Sequence, residues 1–240
     1  MKSTPLQFGL TPPSPCSYLP EQQEQLAVLM SPQPEDSQLY QQLIAYNFRR
    51  SGNQLYRPHC ASCQACHSLR IPVEAFQPYA AQRRILSKAA RANWHYVLTD
   101  AAVTPDEYQQ LFALFDRYIS YKHADGSMYP ATTEQLDSLI HSSWQPISLL
   151  KLYQAEELVA VSVIDELNNS YSAVYTFFAP EVANFSPGKL AVLYLLDSAK
   201  TTRRQFVYLG YQVDGCRKMA YKTEFRPHQR FFDGYWHSFA

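Results

Sequence analysis

Apolar residues recur along this chain at two different periods, and the change from one to the other divides it. The opening, with Pro12, Pro13, Pro15 and Pro20, reads as extended coil. Leu39, Leu43 and Tyr46 then fall at i, i+4 and i+7 behind Asp36 or Ser37, either of which can cap a helix. RIPVEAF, residues 70–76, is a short strand candidate. Residues 80–93 predict a helix with Ile85, Leu86 and Ala89 on one side and Arg84, Lys88 and Arg91 on another stripe. Thr104-Pro-Asp-Glu107 is a capping box with proline at the first helical position. It opens a helix whose Tyr108, Leu111, Phe112, Phe115, Tyr118 and Ile119 are core candidates. From Pro146 the period shortens to two. PISLLKLY, LVAVSVIDEL and SYSAVYTFF are three strands joined by short polar turns, followed by the helix PGKLAVLYLLDSAK and the strand QFVYLGYQV.

An antiparallel meander, a helix and a further strand are the core order of the GNAT acyltransferase fold, so the expected class is α+β with a GNAT-like core. The expected division is a Cys-containing N-terminal region, 1–75, and a GNAT-like domain, 76–240. No apolar run approaches the ~20 residues of a membrane span, and the N-terminus lacks the apolar core of a secretory signal. The expectation is a cytoplasmic protein with no membrane contact. Its five cysteines make no disulfide framework in a chain of 240 residues, and their close spacing points to metal or redox chemistry.

Net charge is zero, yet it is unevenly spread. Residues 49–91 carry eight bases against Glu74 alone, and residues 200–230 carry eight against Asp214 and Glu224. Between them, residues 92–199 hold four bases and thirteen acids. Two basic blocks predict a face for a polyanion.

The stretch HCASCQACHSLRIPV places Cys60, Cys63 and Cys66 in a C-x2-C-x2-C array. Zinc or an iron–sulfur cluster needs four donors. Cys16, His59 or His67 could supply the fourth, with Cys216 a more distant candidate. The residues leave three readings open: metal ligation, buried free thiols, or a nucleophilic thiol.

Four stretches together are distinctive: CSYLPEQ from Cys16, YNFRRSGNQLYRPHCASCQACHSLRIPV from Tyr46, YKHADGSM from Tyr121, and YLGYQVDGCRKMAYKTEFRP from Tyr208. They span nearly the whole chain, which resembles the arginyl-tRNA–protein transferase family, and most closely its bacterial branch. The resemblance implies transfer of an aminoacyl group from charged tRNA to the α-amine of a protein's N-terminal residue. That transfer marks the protein for degradation by the N-end rule. For the bacterial branch it implies leucyl-tRNA as donor and a protein or peptide beginning with Asp or Glu as acceptor. It also implies a GNAT-like C-terminal half, and a cysteine region that holds zinc or an iron–sulfur cluster in some members. Cys16 matches the first cysteine of the N-terminal pair, Leu19 stands where eukaryotic members have the second, and Cys60 and Cys66 could replace it.

An ester on a tRNA ribose is already activated, so the chemistry requires no cofactor and no covalent enzyme intermediate. The enzyme must bring an amine to ~3 Å from the ester carbon and stabilise an oxyanion. YLGYQV is the expected place, with Tyr208 and Tyr211 as catalytic hydroxyls and Gly210 permitting close backbone approach. An acidic acceptor needs cations. Candidates are Arg49 and Arg50, with Ser51, in FRRSG, and Lys218, Tyr221, Lys222 and Arg226 in the tail. Pro227 disfavours helical geometry at Arg226, so Lys218 and Lys222 are expected to share a turn that Arg226 leaves. Arg84, Lys88 and Arg91 are the candidates for tRNA phosphates, and Tyr221, Phe225, Phe231, Phe232, Tyr235 and Trp236 for base stacking. Three alternatives remain: arginine as the transferred residue, an acetyl-CoA-dependent acetyltransferase, and a zinc-ribbon-like RNA-binding module. APEVANFSPGK, with a single Gly188, is a poor pyrophosphate cradle, and one compact cysteine cluster is not two paired knuckles.

Overall fold

The computed structural model describes residues 5–31, 37–126 and 128–240. In chain order its strands begin with β1 (Gln7–Leu10), β2 (Ser14–Pro15), β3 (Gln23–Glu24) and β4 (Leu26–Ser31). Helix α1 (Gln38–Leu43) leads to β5 (Arg49–Ser51), β6 (Gln54–Pro58) and β7 (His67–Pro72). Helix α2 (Ala80–Arg91), β8 (Trp94–Asp100), α3 (Pro105–Lys122) and α4 (Thr133–Ile140) precede β9 (Ile147–Gln154), β10 (Glu157–Leu167) and β11 (Ser170–Phe178). Helix α5 (Pro187–Thr201), β12 (Phe206–Gln212), β13 (His228–Phe232) and β14 (Tyr235–Phe239) complete the chain.

Strands β8 to β11 form an antiparallel meander, α5 crosses over, and β12 returns parallel to β11. The expected meander, helix and strand are therefore present, with β8 added at the edge. The large sheet continues past β12 in the order β12-β7-β13-β14. The expected boundary at residue 75 thus divides the chain in sequence but not in space, because β7 is a strand of the large sheet. A smaller antiparallel sheet has the order β1-β4-β6-β5.

Strand β10 is buried almost throughout, which explains why LVAVSVIDEL reads as a continuous apolar run and not an alternation. Along β12 successive side chains leave on opposite faces. Val207 and Leu209 enter the main core with α3 and α5, while Tyr208 enters a second core with Tyr40, Ile44, Phe48 and Leu55. The small sheet and α1 are thereby packed against the large sheet. Helix α3 starts with half of the expected capping box: Thr104 accepts from the Glu107 amide at 3.3 Å, with Pro105 at the first position, while the Glu107 carboxylate pairs with Lys151.

Helix α1 differs from expectation. Asp36 lies outside the described residues, and the Ser37 side chain does not cap the helix. The helix ends at Leu43 and tightens into a 3-10 turn, Ile44–Tyr46. That turn changes the angular period, so Tyr40 and Ile44 are buried and Tyr46 is 59% exposed.

Arg50 joins the two sheets. Its Nε and Nη2 donate to Asp165 Oδ1 of β10 at 2.8 and 2.7 Å, and neither side chain has any exposure. Its remaining donors reach the carbonyls of Gly52 and Leu139. Arg50, expected as a substrate ligand, is instead spent inside the fold. Removing one partner of such a pair strands the other charge away from water. Asp165→Ala should therefore cost about 3–5 kcal/mol, and Arg50→Met with Asp165→Leu much less, measured by urea unfolding at pH 7.

Candidate active site

Strands β11 and β12 pair over three residues only: Ser170 with Phe206, Tyr171 with Val207, and Ser172 with Tyr208. Beyond this the two strands part. On its other side β12 bulges: Tyr208 faces Arg70 and Tyr211 faces Ser68, so Leu209 and Gly210 stand against the single Leu69. Gly210 has φ +76°, the left-handed region that a residue with a Cβ enters at a cost. The glycine of YLGY is thus required by the bulge.

Two cations from distant segments meet at this point. Arg49 Nη2 donates to Gly210 O at 3.5 Å and Nη1 to Phe48 O at 2.7 Å. Its guanidinium lies 5.4 Å from the ring centres of both Tyr208 and Tyr211. The Lys222 ammonium, carried on a 3-10 turn (Ala220–Glu224), donates to Tyr211 O. Arg49 is 6% exposed and Lys222 9%. Among the described residues neither has a carboxylate at ion-pair distance, and Arg49 Nε has no partner. Burial, then the nearby Arg49, lowers the Lys222 pKa from 10.5 to about 8.

The two tyrosines are not presented together. Tyr208 is buried, and its hydroxyl accepts from Arg70 at 3.2 Å. Tyr211 donates to Asn47 O at 2.8 Å, and burial holds its phenol protonated, well above its ordinary range. The Tyr211 ring faces a cavity of about 970 Å³. Strands β2 and β3, strand β6, the 58–67 loop and the β13–β14 turn enclose it. Ser51, Tyr18, Tyr56, Phe231 and Phe232 also line it. Sequence reading missed Tyr18, Tyr56 and Asn47. Asn47 gave a signal, since asparagine suits its left-handed conformation (φ 71°) at the end of a helical turn. Its side chain bonds Cys66 O and the Ser68 amide, which ties the cysteine loop to β7.

Cys16, Cys60, Cys63 and Cys66 all line this cavity. They are the right donors for zinc or an iron–sulfur cluster, but they do not converge as one. Cys60 Sγ donates to Gln25 O, Cys16 Sγ accepts from the Tyr18 amide, and His67 Nδ1 accepts from Arg230 at 3.0 Å. Among the described residues no three His, Cys, Asp or Glu side chains are placed to hold a metal ion. The expected metal site is therefore not formed, and no step is derived through a metal. Burial, reinforced by the neighbouring thiols, pushes Cys66 up to about 12, so it is not a thiolate nucleophile at neutral pH. Cys216 is a half-buried free thiol outside the cavity lining.

The other expected site residues scatter. Lys218 is exposed beside His123, and Tyr221 packs half-buried on the main core. Arg226 turns away, bonding the backbone of Thr223 and Ala240. Arg84, Lys88 and Arg91 are exposed on α2, with Lys88 held by Asn184 O at 2.8 Å. None of the three lines the cavity. Phe225 is core, and Trp236 is tied to Ala45 O.

A parallel strand pair that parts after a meander and crossover helix defines the GNAT-like class of acyl-transfer folds. Solved structures agree at the level of fold. The crystal structure of FemX matches with TM-score 0.51 and 8% identity over 90% of this chain and 84% of that one. The structure of L-PGS from Bacillus licheniformis matches with TM-score 0.52 and 14% identity over 73% and 59%. Sequence comparison is more specific. Residues 14–84 match the family description "Arginine-tRNA-protein transferase, N terminus", and residues 110–232 match "Arginine-tRNA-protein transferase, C terminus". Proteins called aspartate/glutamate leucyltransferase are 42% identical in Pseudoalteromonas atlantica, over 96% of both chains, and 43% identical in Aeromonas salmonicida, over 96% and 94%. The chain belongs to the arginine-tRNA–protein transferase family and is an aminoacyltransferase.

Below about pH 8 the folded protein bears the full cost of a buried Lys222 ammonium. Between about 8 and 10.5 the unfolded chain holds that proton and the folded one has released it, so stability rises with pH. Lys222→Met should remove this rise, worth up to roughly 3 kcal/mol, in unfolding measured at pH 7 and pH 10. At pH 8, iodoacetamide should modify Cys66 about tenfold or more slowly in the folded protein than in urea, read by peptide mass spectrometry.

Proposed function

We propose that the protein transfers leucine from leucyl-tRNA to the α-amine of proteins that begin with Asp or Glu, in the cytoplasm, and so marks them for degradation by the N-end rule. The observation that carries this reading is the pair of buried cations, Arg49 and Lys222, standing without a carboxylate partner among the described residues where β11 and β12 part. Buried charge without a counter-ion is costly, and an anionic substrate group relieves it. An N-terminal Asp or Glu brings such a group on the same residue as the reacting amine. The names of the relatives from Pseudoalteromonas and Aeromonas support leucine as the transferred residue.

In the reaction the amine nitrogen forms a bond to the ester carbonyl carbon. The carbon–oxygen bond to the ribose breaks, and the proton lost by the nitrogen ends on the ribose oxygen. Leu209 and Gly210, released from regular pairing with β7, supply the backbone amides we assign to the oxyanion. Lys222, an ammonium at neutral pH that holds its proton loosely, gives that proton to the leaving ribose oxygen and is reprotonated by the attacking amine. The activated ester supplies the driving force, so no nucleotide or cofactor is called for. The exposed Arg84, Lys88 and Arg91 are offered to tRNA phosphates.

The acetyl-CoA reading finds less support. The turn ahead of α5 is a 3-10 helix, Pro180–Phe185, and Pro187 at the first helical position lacks the amide that a pyrophosphate would use.

The test is transfer of labelled leucine from leucyl-tRNA to a peptide beginning with Glu, with an Ala-starting peptide and arginyl-tRNA as controls. Product is expected only with leucyl-tRNA and the acidic peptide. Transfer from arginyl-tRNA alone would keep the mechanism and replace the donor. Arg49→Gln should raise KM for the Glu-starting peptide by about tenfold or more, since hydrogen bonds to charged groups are worth ~1.5–3 kcal/mol. A melting curve checks that the variant is folded.

A further inference from the structure

The small sheet carries a second opening that none of the chemistry above uses. It is an apolar groove of about 390 Å³ walled by Phe8, Leu10, Tyr46 and Phe48. Phe8 is 42% exposed, and Leu10 and Tyr46 more so. Ordinary burial does not account for three large apolar side chains gathered at one surface opening. Arg57 and His59 border both this groove and the main cavity, which lie on opposite faces of the small sheet and adjoin at its edge.

The walls form a stacking platform. The Phe8 and Phe48 rings lie 5.3 Å apart, and the Arg57 guanidinium sits over Phe48 at 5.2 Å. Tyr46 meets Phe231 of the cavity wall edge-on at 6.4 Å. Among the described residues no carboxylate lines the groove, and the ionisable groups there, Arg57 and His59, are both basic. Aromatic faces beside a guanidinium, with almost no hydrogen-bonding groups, suit a flat base that is held by its π-face. The charge suits a polyanion, and the Tyr46–Phe231 contact at the sheet edge suits a strand that passes from the groove to the cavity.

We propose that this groove binds an unpaired base at the 3′ end of the aminoacyl-tRNA, seating the terminus so that the attached ester enters the cavity. The proposal rests on the aminoacyl-transfer reading and adds to it where the single-stranded end is held. It relocates base stacking from the C-terminal aromatics to the small sheet, with Phe231 at the junction. An apolar side chain of the acceptor protein would also fit the walls, but it would leave the guanidinium over Phe48 unused.

The experiment is fluorescence anisotropy with two fluorescein-labelled RNA hairpins, one ending in four unpaired 3′ nucleotides and one blunt. Phe8→Ala with Tyr46→Ala should weaken binding of the overhanging hairpin by about tenfold and leave the blunt one unchanged. Phe8→Tyr with Tyr46→Phe should restore the difference, and both double variants should melt near the wild type because these side chains are exposed. Equal losses for both hairpins, or none, would overturn the proposal. So would an increase in KM for the Glu-starting peptide with RNA binding intact, which would assign the groove to the acceptor. A drop in sedimentation mass in the alanine variant would assign it to a second copy of the chain. Wild-type transfer from leucyl-tRNA, run in parallel, reports on the reaction itself, so failure of the groove and failure of the function give different results.

Discussion

A parallel strand pair that holds together for three residues and then opens is the constraint on which this molecule turns. The opening is not a defect of packing. Strand β7, from a segment far away in sequence, pairs with β12 on its other edge and forces Leu209 and Gly210 to share one partner. A bulge bends its strand and increases local twist, and this one begins where the pairing with β11 ends. Backbone groups that a regular sheet would pair are left without strand partners there. The left-handed Gly210, the 3-10 turn that carries Lys222, and the Asn47 carbonyl that accepts from Tyr211 all meet β12 at this point.

Neighbouring residues show how the fold divides labour. Arg49 and Arg50 are adjacent in β5, so their side chains leave on opposite faces. Arg50 reaches a fully buried aspartate and welds the small sheet to the large one. Arg49 reaches only carbonyls and aromatic rings. One charge is neutralised and therefore structural, while the other keeps its field. Lys222 adds a second uncompensated charge beside it, and the mutual repulsion is part of why its proton is held loosely. Such an arrangement costs stability, which the anionic group of the proposed acceptor would offset.

Surface electrostatics proved narrower than the charge blocks suggested. Of the eight bases between residues 49 and 91, Arg49 and Arg50 are buried, and Arg70 is held against the rings of Phe206 and Trp236 at 3.9 Å. What remains for a polyanion from this block is the exposed side of α2 together with Arg57 at the groove. Composition counts charges but does not say which of them solvent sees.

The sequence by itself determined the meander, the crossover helix and the returning strand, because periods of 2 and 3.6 are local consequences of backbone geometry. It also marked the start of α3, the glycine of the bulge and the family motifs. It missed β8, whose partner β9 lies beyond two helices, and it placed Tyr46 on a buried face because a 3-10 turn alters the period after Leu43. Only tertiary structure decided which arginine is spent on Asp165 and which stays unpaired. It also decided that four thiols surround a cavity without converging on one ion, and that Tyr208 and Tyr211 serve different neighbours. Each of these depends on pairing between segments far apart in the chain, and no local period encodes which distant carbonyl or carboxylate will stand opposite a given side chain.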